Sequence, residues 1–457
     1  MSALGNRDPK VSGAARGRLI TVLVILAIVL GVVWWLRGPG PMDFAPGQKV
    51  ALAEYHAADP TGVPAALKDA TQIARGEYLA RAADCMVCHT SPDGKPYAGG
   101  FAFNLPFGTL YSTNITPDKE TGIGNYTDAQ FIVALRRGVR SDGARLYPAM
   151  PFTSYTFLTD ADALAIKAYL FSLAPVQAPT KTATLSFPFN QRWLLGIWSW
   201  LFSPDQRFQA NPAQSAEWNR GAYVSEALAH CGECHTPRNL AFALNNRKKF
   251  SGAVTAGWHA YNITSDPGTG LGAWGEDVFV YLSKGQSVGH GTAAGPMGEA
   301  VDESFSHMTP DDVRAVVTYL RSIPAVASSD LPAALATPAD SSHKVGPVTV
   351  NSRGKEVFEE ACASCHDWSG VSPIADFATL TGSRAVNDPS ATNVAQIVIS
   401  GTKRITPANA VSMPAFGTTY SDVEIAAVAN YVTARFGAKG SSIGEHEVAY
   451  LRKQVAQ

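Results

Sequence analysis

The pattern Cys-x-x-Cys-His occurs at residues 85–89 (CMVCH), 231–235 (CGECH) and 362–366 (CASCH). These three runs account for all six cysteines in the chain. No cysteine is left for a disulfide or for completing a zinc tetrad. The chain is thus divided into three stretches, each organised around one such run.

Each run has the attachment signature of c-type haem. Two thiols one helical turn apart can each bond a vinyl group of the macrocycle, and the histidine that follows can then bind the iron. A single run could instead be a metal knuckle or a redox dithiol. Three runs on a repeated scaffold predict three covalently bound haems c. The predicted attachment residues are Cys85, Cys88, Cys231, Cys234, Cys362 and Cys365, and the predicted iron ligands are His89, His235 and His366.

Methionines supply candidates for the opposite face of each iron, where a thioether raises the reduction potential and closes the site to other ligands. Met150 and Met297 lie at nearly the same distance beyond their cysteine pairs, and Met413 occupies the shorter third stretch. Met308 competes with Met297, but it directly precedes a predicted helix cap, which is the position of a hydrophobic staple. The predicted axial pairs are His89/Met150, His235/Met297 and His366/Met413.

The sequence around the three runs is itself repeated. A predicted helix before each cysteine pair carries Arg-Gly, and the glycines Gly76, Gly221 and Gly354 indicate close approach of another backbone. A second predicted helix begins at a capping box: Thr159 with Asp162, Thr309 with Asp312, and Ser421 with Glu424. The predicted fold is mainly α, with an N-terminal transmembrane helix followed by three tandem cytochrome c domains of the class I-like kind. We name them repeat 1 (residues 65–175), repeat 2 (residues 211–325) and repeat 3 (residues 347–437).

Repeats 1 and 2 share a further feature, an Asn-Ile-Thr segment that begins at Asn114 and at Asn262. Asn and Asp side chains can close turns on their own backbone. We therefore predict that both segments are turns lining a haem pocket. Repeats 1 and 2 are closer to each other than to repeat 3.

The N-terminal region contains an uncharged stretch, residues 19–36 (LITVLVILAIVLGVVWWL), near the length that spans a bilayer. Several basic residues precede it and only Arg37 follows closely, which predicts a cytoplasmic segment over residues 1–18 and haem domains in the periplasm. A cleaved signal peptide is the alternative, although its apolar region is usually shorter and ends at a small-residue site. The prediction is a single-pass anchor in the inner membrane.

Three other segments complete the predicted organisation. Residues 326–346 are rich in Ala, Ser and Pro and predict a linker, and residues 438–457 are predicted to be a C-terminal tail. The connection over residues 176–210 contains an apolar run at 193–202 (WLLGIWSWLF) that is too short to span a bilayer. This run is predicted either to lie in the membrane interface or to be buried between repeats or against a partner subunit.

Composition excludes one class of function. The chain has 37 basic and 38 acidic residues, so no summed positive field draws it to nucleic acid. With 457 residues, 46% of them apolar, it is long enough for three domains that each have a core.

Longer runs carry a family resemblance. Residues 111–118 (YSTNITPD), 146–151 (LYPAMP) and 294–297 (AGPM) resemble the triple-haem cytochrome subunit of membrane-bound alcohol, aldehyde or gluconate dehydrogenases. The resemblance implies a separate catalytic subunit, which is a quinoprotein, a flavoprotein or a molybdenum and iron–sulfur protein, and relay of electrons to ubiquinone. Residues 378–382 (ATLTG) replace a Pro-Pro-Leu segment usual in the alcohol-dehydrogenase type, which leaves an aldehyde-oxidising molybdenum partner at least as compatible.

The resulting hypothesis is an electron-transfer subunit with no substrate site of its own, and therefore not an enzyme. One alternative is a free-standing multihaem carrier or an oxidase-linked cytochrome. Another is a haem peroxidase, which needs an iron with an open position. The three methionine candidates argue against a peroxidase.

Overall fold

The computed structural model describes residues 13–328, 352–405 and 410–455. Within these ranges the chain is mostly helical, and its strands form four separate antiparallel hairpins. The helices are α1 Gly13–Arg37, α2 Gln72–Ala82, α3 Cys85–Cys88, α4 Asp128–Arg137, α5 Phe152–Tyr155, α6 Asp160–Ser172, α7 Leu194–Phe202, α8 Ala216–Tyr223, α9 Gly232–His235, α10 Asp277–Lys284, α11 Gly295–Glu303, α12 Pro310–Ser322, α13 Ser352–Ala361, α14 Ala363–His366, α15 Thr392–Ser400, α16 Asp422–Phe436 and α17 Glu445–Val455. The strands are β1 Ala102–Leu105, β2 Gly108–Tyr111, β3 Ala253–Thr255, β4 Trp258–Ala260, β5 Gln286–Ser287, β6 Gly291–Thr292, β7 Thr402–Ile405 and β8 Ala410–Met413.

Helix α1 contains the apolar stretch that the sequence assigns to the membrane. Its segment Gly17–Arg37 is, among the described residues, the one helix long and apolar enough to cross a bilayer, and none of it is buried in the protein. An exposed apolar helix of this length is compatible with a single-pass anchor. Residues 1–12 of the predicted cytoplasmic segment lie outside the described residues.

Each repeat is built on one pair of crossing helices: α2 with α6, α8 with α12, and α13 with α16. A Cβ added to the glycine of the first helix would lie only 1.8–2.2 Å from a backbone carbonyl oxygen of the second. The opposed residues are Gly76 and Ala165, Gly221 and Ala315, and Gly354 and Ala427. The predicted close approach is therefore confirmed in all three repeats.

Two of the three helix caps differ from the predicted capping box. Ser421 and Glu424 form a complete capping box, with both reciprocal hydrogen bonds present. At Thr159 and Thr309 only half of the box forms, because the threonine hydroxyl accepts from the amide three residues later but no acid reaches back. Aspartate is one methylene shorter than glutamate, and here the Asp162 and Asp312 carboxylates bind groups of other elements instead.

Within the described residues, most buried apolar side chains belong to two clusters, not three. One runs from Met42 to Ile323 and joins repeats 1 and 2 in a continuous core. The other runs from Val357 to Leu451 and belongs to repeat 3 and the residues that follow it. The expectation of a separate core for each repeat is thus wrong for the first two, whose helices pack on each other.

The C-terminal segment also differs from expectation. Much of the predicted tail is helix α17, which packs against α15 and α16. Val448 and Leu451 are three positions apart on one helical face and are buried in the core of repeat 3. Helix α17 is therefore part of the core of repeat 3. Residues 329–346 of the predicted linker lie outside the described residues.

Candidate haem sites

Each Cys-x-x-Cys-His run is folded into a single helical turn. The turn consists of α3, α9 or α14 together with one adjacent residue of the run. The histidine amide donates to the carbonyl of the first cysteine in all three runs. The distances are 3.1 Å for His89 to Cys85, 3.0 Å for His235 to Cys231 and 3.0 Å for His366 to Cys362. Both thiols and the imidazole of each run therefore belong to the same turn, as attachment to one macrocycle requires.

The three histidines are oriented in the same way. Nδ1 of each ring lies within hydrogen-bond distance of a backbone carbonyl oxygen: His89 to Thr113 at 2.7 Å, His235 to Tyr261 at 2.6 Å and His366 to Ala378 at 2.6 Å. A carbonyl can only accept, so Nδ1 carries the proton and Nε2 is left with its lone pair for a metal. Burial lowers the pKa of all three imidazoles, which favours the neutral form that binds iron.

The first cysteine of each run lies in surroundings that suppress the ionisation of its thiol. Burial raises the pKa of Cys85 and Cys231 to about 12 and that of Cys362 to about 11. All six thiols are free of disulfides. Each run therefore offers two unbridged thiols and one imidazole on a single helical turn, which is the donor set that covalent haem attachment requires.

The carbonyls that hold His89 and His235 are positioned by the predicted turns. Thr113 and Tyr261 directly precede Asn114 and Asn262. Each asparagine Oδ1 accepts from the amide of the threonine two residues later at 2.9 Å, and each Nδ2 donates at 2.6 Å to a carbonyl beyond the closing helix of its repeat. The prediction that these segments are side-chain-closed turns is confirmed.

Repeat 3 reaches the same histidine geometry by other means. Ala378 ends a short 3₁₀ turn, Asp376–Ala378, and its carbonyl accepts from His366. None of the three carbonyl groups was predicted from the sequence. For repeats 1 and 2 the available signal was the position immediately before Asn-Ile-Thr.

The candidate methionines occupy three different local structures. Met150 lies in the turn before α5, Met297 lies in α11, and Met413 ends β8. Met150 and Met297 pack against the same apolar cluster as Cys85 and Cys231, while Met413 packs against the cluster that contacts Cys362. The competing candidate Met308 is more deeply buried, at 8% exposure, within the core under the start of α12.

The sites are linked by shared contacts. Helix α11, which carries Met297, contacts α3 of repeat 1 and β7 of repeat 3. Tyr261 holds His235 through its carbonyl and donates its hydroxyl to Asp388 of repeat 3 at 3.2 Å. Asp388 also lies 2.9 Å from Nδ1 of His259. The immediate surroundings of His235 thus include residues from repeat 3.

Comparison with known proteins agrees with this geometry. The profile of the family described as Cytochrome c matches residues 73–174, and that of Cytochrome C oxidase, cbb3-type, subunit III matches residues 350–432. Over 426 residues the chain is 40% identical to the fructose dehydrogenase cytochrome subunit of Gluconobacter japonicus, with 87% of each chain covered. The chain belongs to the family of dehydrogenase cytochrome c subunits.

Two further relatives place this cytochrome c subunit in the same family. It is 38% identical over 400 residues to the gluconate 2-dehydrogenase cytochrome c subunit of Pantoea cypripedii, covering 83% of this chain and 89% of the relative. It is 36% identical over 408 residues to the cytochrome c subunit of the quinone alcohol dehydrogenase of Gluconacetobacter polyoxogenes, covering 84% and 85%. The family resemblance is confirmed, and with it covalently bound haem c and a role in electron transport. Haem iron, when bound, accepts and releases single electrons, and the cysteines and histidines described above would hold the group.

Proposed function

We propose that this cytochrome c subunit carries three haems c and relays electrons from a catalytic dehydrogenase subunit to ubiquinone. Attachment is through Cys85 and Cys88, Cys231 and Cys234, and Cys362 and Cys365, with axial pairs His89/Met150, His235/Met297 and His366/Met413. The observation that supports three sites is the hydrogen bond from histidine Nδ1 to a backbone carbonyl, which recurs in all three runs at 2.6–2.7 Å.

The organisation that we propose has three cytochrome c domains, over residues 65–175, 211–325 and 347–437. The common crossing of glycine against a backbone carbonyl in the three helix pairs supports this division. Helix α1 anchors the chain in the inner membrane, and the domains lie on the periplasmic side. The basic residues before residue 19 support that orientation.

The partner in this proposal is a catalytic subunit that oxidises an alcohol or an aldehyde. The relatives belong to fructose, gluconate and alcohol dehydrogenases, so the same kind of cytochrome serves several substrates. The cofactor of the partner is a quinone, a flavin, or molybdenum with iron–sulfur clusters. Substrate chemistry then belongs entirely to that partner, and this chain is not itself an enzyme.

Haem stoichiometry tests the number of sites. The haem content of the purified chain, measured by the pyridine haemochrome method per polypeptide, should be three. Each of the double variants Cys85→Ala/Cys88→Ala, Cys231→Ala/Cys234→Ala and Cys362→Ala/Cys365→Ala should lose one haem. A wild-type value of two, with one double variant unchanged, would contradict the proposal.

A second candidate function is suggested by the oxidase-type profile that matches residues 350–432. In that case the chain delivers electrons directly to a terminal oxidase. Purification of the tagged full chain from its native membrane distinguishes the two. A cofactor-bearing dehydrogenase subunit in stoichiometric amount supports the first proposal, whereas an oxidase in its place supports the second.

A further inference from the structure

Helix α7 presents an apolar face to the outside of the protein. Trp193, just before it, and Ile197 and Trp200 within it are spaced by four and three residues, so they lie on one face, and they are 66%, 53% and 77% exposed. On the other side of the helix, Trp198 donates its indole N–H to the Ala241 carbonyl at 2.7 Å and packs edge-on against Phe152. The helix is therefore fixed by its inner face, while its outer face has no apolar cover within the described residues.

The loop that holds α7 also holds the end of α1. Two residues before Ala241, the side-chain amide of Asn239 donates to the Leu36 carbonyl at 2.8 Å. In the same region Arg247 donates to the Trp35 carbonyl. Helices α1 and α7 also contact each other directly. The exposed face of α7 is thus joined to the point where the apolar α1 meets the rest of the protein.

Further exposed apolar side chains surround this point. Phe187 is 79% exposed, Leu240 is 89% exposed and Phe242 is 50% exposed. Ring contacts join their neighbourhood: Phe107 stacks on Phe189 with centroids 3.9 Å apart, and Phe242 meets both rings edge-on. We call Trp193, Ile197, Trp200, Phe187, Leu240 and Phe242 the aromatic patch.

We propose that the aromatic patch inserts into the membrane interface around the base of α1. Tryptophan and phenylalanine on a fixed surface are the side chains that partition into the boundary between headgroups and acyl chains. A bilayer is the occupant that the geometry favours, because any lipid around α1 continues onto the patch. Next to Trp193, the exposed Arg192 donates to the Arg145 carbonyl at 2.6 Å, so a basic side chain borders the patch.

Two points of attachment to the membrane restrict the orientation of the protein more than a single point does. A single helix ending in a flexible connection allows the domains to turn above the membrane. A second contact fixed to the same loop as α1 sets one orientation of repeats 1 and 2 relative to the bilayer. Electron exchange with a membrane-dissolved acceptor then occurs from a constant face of the protein.

Site-directed spin labelling of the full-length chain in phospholipid nanodiscs tests the proposal. A cysteine introduced at Trp200→Cys or Leu240→Cys is labelled selectively when the native thiols are bound to haem. Matched controls are Val254→Cys and Ile374→Cys, whose side chains are 64% and 66% exposed outside the patch. Collisions with oxygen, which concentrates in lipid, and with a water-soluble nickel chelate report immersion.

At positions 200 and 240 the ratio of oxygen to nickel accessibility should exceed that of the controls several-fold. Equal ratios at patch and control positions would overturn the proposal, as would protection that appears only after a catalytic subunit is added. Haem content equal to wild type shows that each labelled variant is folded. If Trp200→Cys fails that check, Phe187→Cys supplies the same test at a second patch position, which is 79% exposed.

Discussion

The hydroxyl of Tyr78 in repeat 1 donates a hydrogen bond of 2.7 Å to the Asp312 carboxylate in repeat 2. The same contact runs in the opposite direction, since Tyr223 of repeat 2 donates to Asp162 of repeat 1. Each tyrosine lies two residues after a crossing glycine, and each aspartate lies three residues after a helix cap. Repeats 1 and 2 therefore meet through equivalent surfaces, in the manner of a two-fold symmetric dimer.

Replacement of one of these phenols tests the contribution of this reciprocal contact. Tyr78→Phe should lower the free energy of unfolding by about 1–3 kcal/mol, because the buried Asp312 loses one hydrogen-bond donor while Arg220 still binds it. Denaturant unfolding of the haem-loaded protein, followed by haem absorption, measures the change. Tyr450→Phe is the matched control at a 55% exposed tyrosine and should have almost no effect. Equal stability of both variants would show that the contact does not stabilise the interface.

The crossing glycines make a second prediction. Gly221→Ala should destabilise repeat 2 by on the order of 4 kcal/mol or more, because the new Cβ would lie 1.9 Å from the Ala315 carbonyl oxygen and the two helices must separate. The expected result is a strongly reduced yield of haem-loaded protein. Gly268→Ala is the control, since its Cβ would meet Asp266 at an ordinary 3.5 Å. A normal yield of the Gly221 variant would contradict the close crossing.

Methionine variants identify the sixth ligand in repeat 2. Met297→Leu should abolish the near-infrared band of sulfur-to-iron coordination for one haem and lower the reduction potential of that haem. Met308→Leu should leave all such bands intact and cost less than about 1.5 kcal/mol, because it conserves volume in the core. Near-infrared absorption of the oxidised protein and a redox titration give both results. The opposite pattern would assign the ligand to Met308.

The contact between repeats 2 and 3 should depend on pH. Burial alone would raise the pKa of Asp388, but hydrogen bonds from His259 and Ser390 offset it and hold the pKa below its usual value. A carboxyl with a lowered folded-state pKa contributes stability that is present above its unfolded-state pKa, near 4, and lost as the pH falls through the folded value. Stability should therefore decline below about pH 4 through this group.

Asp388→Asn removes the carboxyl group that is expected to cause this pH dependence. At neutral pH the variant should be less stable by about 1–3 kcal/mol, and its stability should fall less steeply with acid than that of the wild type. Unfolding curves at several pH values between neutral and acid compare the two. Asp93→Asn, at an exposed loop carboxyl, should follow the wild-type curve. Parallel acid profiles for wild type and the Asp388 variant would exclude this carboxyl as a source of the pH dependence.

The sequence alone determined the features that depend on neighbouring residues. The spacing of Cys85, Cys88 and His89 fits one helical turn wherever that turn lies, and the structure forms it three times. The glycines of the crossing helices were also predictable from the sequence. Only a residue without a side chain allows a carbonyl oxygen of the second helix to come so close to the first. The Asn114 and Asn262 turns are likewise closed by a side chain acting on its own backbone within two residues.

Tertiary structure decided the features that depend on residues distant in the chain. The carbonyls of Thr113, Tyr261 and Ala378 hold the three histidines, yet every residue has a carbonyl, so no side chain marks these three. The shared core of repeats 1 and 2 depends on which partner the Asp312 carboxylate binds once the helix cap has formed. Helix α17 belongs to the core of repeat 3 because its apolar face packs against α16. Folding brings several possible partners close to each of these groups, and the partners compete. The spacing of neighbouring residues does not predict which partner is bound.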